Sequence, residues 1–192
     1  MILASKSPRR KEILERLGFH LRIIVPETEE NSERSDISGA ILDIAAQKTL
    51  TAAKIHRDSY VVGADTVVIL DGEVIGKPRD AKDAARTLAK LSGREHKVLT
   101  GFSFRHWEKN LHISDFAVTS VRFRELGKAL IRWYVESGEP LDKAGSYGIQ
   151  GRGAVLVEEI RGDYLNVVGF PLALFAQRLA EAGITPDQYP LL

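Results

Sequence analysis

Ser5, Ser7, Arg9 and Arg10 are the first residues whose types and spacing could do chemistry, in Ser5-Lys6-Ser7-Pro8-Arg9-Arg10. Ser7 suits a helix N-cap and Pro8 the first helical position. A helix mouth offers unpaired N–H groups and partial positive charge, and two guanidinium forks suit phosphate oxygens. Cations at that end oppose the helix dipole unless an anion is near. A capped surface helix with solvated arginines accounts for the same residues.

Asp65 and Thr66 form the second feature, in Gly63-Ala64-Asp65-Thr66 within the apolar run Tyr60 to Leu70. An aspartate there is costly if buried without a partner. Strand-end carboxylates serve as bases or metal ligands in α/β folds. A turn aspartate bonding its own backbone is the other reading. Glu27, Glu29 and Glu30 follow a strand-like stretch; carboxylates suit Mg²⁺, although a loop charge run is ordinarily solvated. Lys48 and Lys77 are unexceptional singly, but Gly76 and Pro78 fix how Lys77 is presented. The stretch from Asp142 to Ala154 carries four glycines, Gly145, Gly148, Gly151 and Gly153. They let backbone approach a ligand closely. Gln150 among them has a donor and an acceptor on one amide, matching the imide edge of uracil or thymine. A long surface loop would use its glycines for turns alone. Neither a P-loop nor a dinucleotide fingerprint is present.

The elements that must position these residues alternate between strand and helix. Strand-like runs at Ile2 to Ala4 and Leu21 to Val25 flank a helix from Pro8, stopped at Gly18. A helix is expected from Ile37 to about His56. Asp71-Gly72 marks a hairpin between the Tyr60 run and Glu73 to Ile75. Asp80 caps a helix to about Ser92. Val98 to Arg105 and Ile113 to Phe123 read as strands, Lys128 to Ser137 as a helix, and Ala154 to Ile160 as a strand. Pro171 opens a last helix to about Ala182, followed by a loose tail over 184–192. The pattern is α/β with a mixed sheet.

The 192 residues are 44% hydrophobic and 28% charged, with formal net charge +1. That describes a globular chain and argues against a general nucleic-acid partner. Having no cysteine excludes disulfides and thiolate chemistry. Five scattered histidines suggest no zinc site. No signal-peptide pattern and no apolar run near 18 residues is present, so a soluble, cytoplasmic protein without a membrane partner is expected.

Taken together, Ser5-x-Ser7-Pro8-Arg9-Arg10, Gly63-Ala64-Asp65-Thr66, Gly76-Lys77-Pro78, Leu91-Ser92-Gly93 and Asp142-Lys143-Ala144-Gly145 through Gln150-Gly151 resemble the Maf family of nucleoside triphosphate pyrophosphatases. The resemblance runs from Ile2 to about Gly183. It implies one bilobed domain over 1–192, with an elongated, twisted mixed sheet flanked by helices and a central cleft, as in inosine triphosphate pyrophosphatases. It implies hydrolysis of a nucleoside triphosphate to the monophosphate and pyrophosphate with Mg²⁺, or Mn²⁺ or Co²⁺ in its place. The family base falls on Asp65, and its metal-binding acidic residue on Glu29, with Glu27 or Glu30 as alternative registers. Asp65 would share the metal. The catalytic lysine falls on Lys48. Ser5, Ser7, Arg10 and Lys77 fall among the substrate-binding positions. Arg9, Thr66 and Gln150 have the identities of the subfamily preferring dTTP and UTP, which implies nucleotide-pool house-cleaning. A homodimer is the family expectation. The family is also associated with arrest of septum formation, so a nucleotide-binding regulator of division without turnover is the alternative. A nucleotidyltransferase is a third reading.

Overall fold

The computed structural model describes residues 1–28 and 31–192. Its strands are β1 (Ile2–Leu3), β2 (Arg22–Ile23), β3 (Tyr60–Leu70), β4 (Glu73–Ile75), β5 (Glu95–His106), β6 (Leu111–Phe123) and β7 (Val157–Arg161). The helices are α1 (Pro8–Glu15), α2 (Ile37–Ile55), α3 (Ala81–Leu91), α4 (Lys128–Glu136), α5 (Tyr164–Val168) and α6 (Leu172–Glu181). One mixed sheet runs β2-β1-β3-β5-β6-β7, with β4 paired to β3. β1 pairs in parallel with both β2 and β3, and α1 and α2 supply the crossovers that parallel neighbours need. β4 returns antiparallel from β3. Asp71 and Gly72 take φ of +54° and +83° in that turn, as a hairpin of this hand requires.

Compactness divides the chain into two units. The first comprises Met1–Asp65, Thr100–Ala117 and Gly169–Leu192; the second comprises Thr66–Leu99 and Val118–Val168. In the first unit, Phe102, Phe170 and Phe175 pack edge-on or tilted around one another, and Phe19 joins them. α2 lies tight against the sheet because two strand positions are glycine. A Cβ on Gly63 would meet Thr49 Cγ2 at 3.0 Å, and one on Gly101 would meet Ile41 Cγ2 at 2.8 Å. Thr49 Oγ1 and Ser103 Oγ, 2.8 Å apart, join α2 to β5 by a buried hydrogen bond. In the second unit, α3 and α4 bury Ala84, Leu88, Leu91, Ile131 and Tyr134.

Of the two readings of Asp65, the turn falls: Gly63 to Thr66 is uninterrupted strand. The structure departs from the sequence reading elsewhere. Ala154 to Leu156 belongs to a 3₁₀ segment, Gly151–Leu156, and the strand begins only at Val157. The tail is docked: Pro186–Leu191 forms a 3₁₀ turn with a Thr185/Gln188 capping box. Buried Tyr189 stacks on Phe19, their ring centroids 4.7 Å apart. A polar, proline-containing sequence gave little sign that one aromatic would anchor it.

Candidate active site

β1 delivers the chain into the Ser5–Arg10 segment, and Ser7 caps α1 by accepting from the Arg10 N–H at 3.4 Å. No acidic residue stands in the first turn, so the positive end of the helix keeps its sign. Buried Ser5 organises the approach: its Oγ accepts from the Ser7 N–H and from Arg10 Nη1, each at 3.2 Å. Arg10 Nε also donates to the Gly169 carbonyl at 2.9 Å. Arg10 is therefore partly committed to bracing the loop. The Arg9 side chain makes no hydrogen bond or ion pair among the described residues. Gly169 was not apparent from sequence. Its place before Phe170-Pro171 was the signal the sequence carried, and its φ of +130° is seen only in the fold.

Lys48 and Asp65 meet in the same unit. Lys48 Nζ lies 2.8 Å from Asp65 Oδ1. The two side chains keep only 11% and 19% of their exposure, so the pair is largely desolvated. Gly63 makes the meeting possible, because its missing side chain lets α2 descend to within reach of β3; a Cβ there would also stand 3.5 Å from Lys48 Cβ. Among the described residues Asp65 Oδ2 accepts no hydrogen bond. Removing either partner of such a pair strands the other charge in a low-dielectric place. Thr66 follows Asp65 on β3 and begins the second unit.

In the second unit, exposed Lys77 sits just after β4. The Gly145 N–H donates to the Gly76 carbonyl at 3.0 Å, so the Gly-Lys-Pro and Asp-Lys-Ala-Gly segments adjoin. Gly145 has φ +68°, and a Cβ there would come within 2.7 Å of Val68 on β3. Only glycine fits both demands. Gln150 is half-buried on the loop that follows. His96 Nε2 and Tyr147 Oη share a hydrogen bond of 2.7 Å under that loop. Burial pushes the His96 pKa down to about 4 and the Tyr147 phenol up.

Glu29 and Glu30 lie outside the described residues, and Glu27 lies within them. Among the described residues no three His, Asp or Glu side chains gather as a metal cluster. Asp65 is one carboxylate in a desolvated position. A single carboxylate fits Mg²⁺ of the kind that takes most of its ligands from substrate phosphates and water. A pocket of about 630 Å³ in the first unit is lined by Met1, Arg22, Tyr60, His106, Lys109 and Leu192, among others. It opens where β1 and β3 begin and holds none of the expected site residues; α/β sheets bind ligands at the other ends of their parallel strands.

The motif-bearing segments thus gather within each unit: Ser5–Arg10 and Lys48–Asp65 in one, Gly76–Pro78 and Gly145–Gln150 in the other. A family model described as Maf-like protein matches residues 1–182. The chain belongs to the Maf-like protein family. A curated relative from Fusobacterium nucleatum, named dTTP/UTP pyrophosphatase, is 45% identical over 183 residues, 95% of each chain. A Pyrococcus horikoshii protein of the same name is 44% identical over 188 residues, covering 98% of this chain and 99% of its own. The Ham1 protein of Staphylococcus aureus shares the fold at a TM-score of 0.52 and 13% identity, over 99% of this chain and 93% of that one. No described helix of this Maf-family chain is long and apolar enough to cross a membrane.

Proposed function

We propose that this chain is a nucleoside triphosphate pyrophosphatase that hydrolyses dTTP and UTP to the monophosphate and pyrophosphate. The observation that carries the reading is the 2.8 Å pair of Lys48 on α2 with Asp65 on β3, largely desolvated, on the strand that pairs with β1, which feeds a loop rich in phosphate-suited donors. The naming of the relatives from Fusobacterium nucleatum and Pyrococcus horikoshii supports the substrate class.

In this reading Arg9, Ser5, Ser7 and the mouth of α1 bind phosphate oxygens, aided by Arg10 and Lys77. Fixing both reactants in line removes much of the entropic barrier. Asp65 orients a water at the α-phosphorus and takes its proton. The α–β bridging P–O bond breaks and pyrophosphate leaves with the electron pair. Lys48 holds Asp65 in place and offsets charge that grows on the phosphoryl oxygens. Asp65 and Glu29 are the residues that would hold a divalent cation. When bound, that ion supplies charge neutralisation and a more acidic water. Thr66 and Gln150 read the base, with Gln150 presenting its amide to the imide edge of uracil or thymine. A flipped amide also satisfies cytosine, so modest activity on CTP accompanies the preference.

The test is pyrophosphate release from a panel of nucleoside triphosphates with Mg²⁺, Mn²⁺ or Co²⁺. Fast release from dTTP and UTP is expected. Tight binding without turnover would instead favour a regulator of division, and a need for a second substrate would favour a transferase.

A further inference from the structure

We infer that Glu139, together with Tyr134, is a positioning residue that pre-sets the Gln150 loop for base selection; this rests on the base-reading role proposed above for Gln150. The loop from Gly148 to Gly153 is pinched at its base. A Cβ on Gly153 would lie 1.9 Å from the Gly148 carbonyl oxygen, so the two ends of the loop touch. One carboxylate holds one end. Glu139 Oε2 accepts from the Arg152 N–H at 3.1 Å, and Oε1 accepts from the Gly153 N–H at 3.2 Å. One phenol holds the other end: Tyr134 Oη accepts from the Gly148 N–H at 3.0 Å. The same hydroxyl donates to Glu139 Oε1 at 3.1 Å, which closes the circuit. The Arg152 guanidinium also lies over the Trp133 ring, 5.5 Å from its centroid.

Gln150 sits at the centre of this pinched segment and has no side-chain bond acting as a helix cap. Its backbone is placed by its neighbours. Charged acceptors make the stronger hydrogen bonds to backbone N–H groups. Glu139 gives both of its oxygens to the loop and its Tyr134 tether, so its task is to hold rather than react. A loop already ordered spares the substrate the cost of ordering it. Losing the clamp therefore weakens binding of the correct base and leaves the chemical step nearly intact.

The experiment measures kcat and KM for UTP and for ATP in Glu139→Ala, Glu139→Gln and Tyr134→Phe. Glu139→Ala is expected to raise KM for UTP about tenfold with little change in kcat, and to bring UTP and ATP closer together. Glu139→Gln keeps one acceptor and should fall between Glu139→Ala and the parent. Tyr134→Phe keeps the buried ring and serves if Glu139→Ala does not fold. A loss of thermal stability with unchanged KM and unchanged base preference would overturn the inference. Hydrogen exchange at the Arg152 and Gly153 amides separates the clamp from the base-reading role. Protection in the parent that is lost in Glu139→Ala supports the clamp even if Gln150→Ala leaves base preference untouched. Amides already unprotected in the parent overturn it.

Discussion

Two sets of buried polar groups, one in each unit, are held by opposite means. The first unit keeps a full ion pair, Lys48 with Asp65, on a helix and a strand locked together through Gly63 and Gly101. The second unit keeps its buried titratable aromatics neutral: burial drives the His96 pKa down and the Tyr134 and Tyr147 phenols up. Asp65 and Glu139 show the same division in two carboxylates. Asp65 has one cation beside it and, among the described residues, an oxygen without a hydrogen bond. Glu139 gives both oxygens to backbone N–H groups and a hydroxyl. What a carboxylate can do is set by which of its lone pairs the fold has left over.

The largest way to break this comparison is Asp65→Asn. It keeps size and removes the charge, and turnover should fall about 10³-fold with the fold retained, a usual scale for losing a general base. Steady-state rates of pyrophosphate release, with circular dichroism as a control, check it. Near-normal turnover would move the chemistry away from Asp65.

The next effect belongs to the second unit. The unfolded chain binds a proton at His96 near pH 6.5, and the folded chain only near pH 4. The stabilisation from keeping His96 neutral is complete above pH 6.5 and is lost as pH falls toward 4. The loss is about 3 kcal/mol across that window. Its Nδ1 is buried without a hydrogen-bond partner, and the Glu95 carboxylate offsets only part of the cost of burying the added charge. Denaturant unfolding at pH 7, 5.5 and 4 should show the slope, and His96→Phe should flatten it.

Lys48→Met comes third. It leaves the Asp65 carboxylate in its partly buried place without the cation. Stability should fall by about 2 kcal/mol, less than for fully buried pairs because Asp65 retains some exposure. The double variant Lys48→Met/Asp65→Asn should regain much of that stability and none of the turnover. A double variant as unstable as Lys48→Met alone would show that the loss came from packing of the lysine stem.

Much of this was legible in the residues. Ser7, Pro8, Asp71-Gly72 and Asp80 carry local signals that tertiary contacts do not override, and each marks the boundary observed. Asp65 was legible as an odd residue in an apolar run, but its partner was not. Lys48 is seventeen positions away, and only the approach allowed by Gly63 brings it in. Ala154 to Leu156 misled because three apolar residues read as strand, whereas the pinch at Gly153 keeps the chain turning. Glu139 escaped notice because a lone glutamate before proline has no periodicity. Its meaning lies in backbone N–H groups thirteen and fourteen residues further on.

The smallest effect is the most discriminating. Gln150→Ala removes the amide proposed to read the base and leaves every bond of the Glu139 clamp in place, since those bonds use the backbone of residues 148, 152 and 153. Gln150 is half-buried and caps nothing, so thermal stability should stay within about 0.5 kcal/mol of the parent, as for most surface substitutions. The preference for UTP over ATP should fall about tenfold, the scale of one or two hydrogen bonds lost to a neutral partner. An equal loss on every nucleotide would assign Gln150 to general binding. A loss of preference in Gln150→Ala but not in Glu139→Ala would mean that the amide finds the base without the clamp, so the second unit would select by side chain alone.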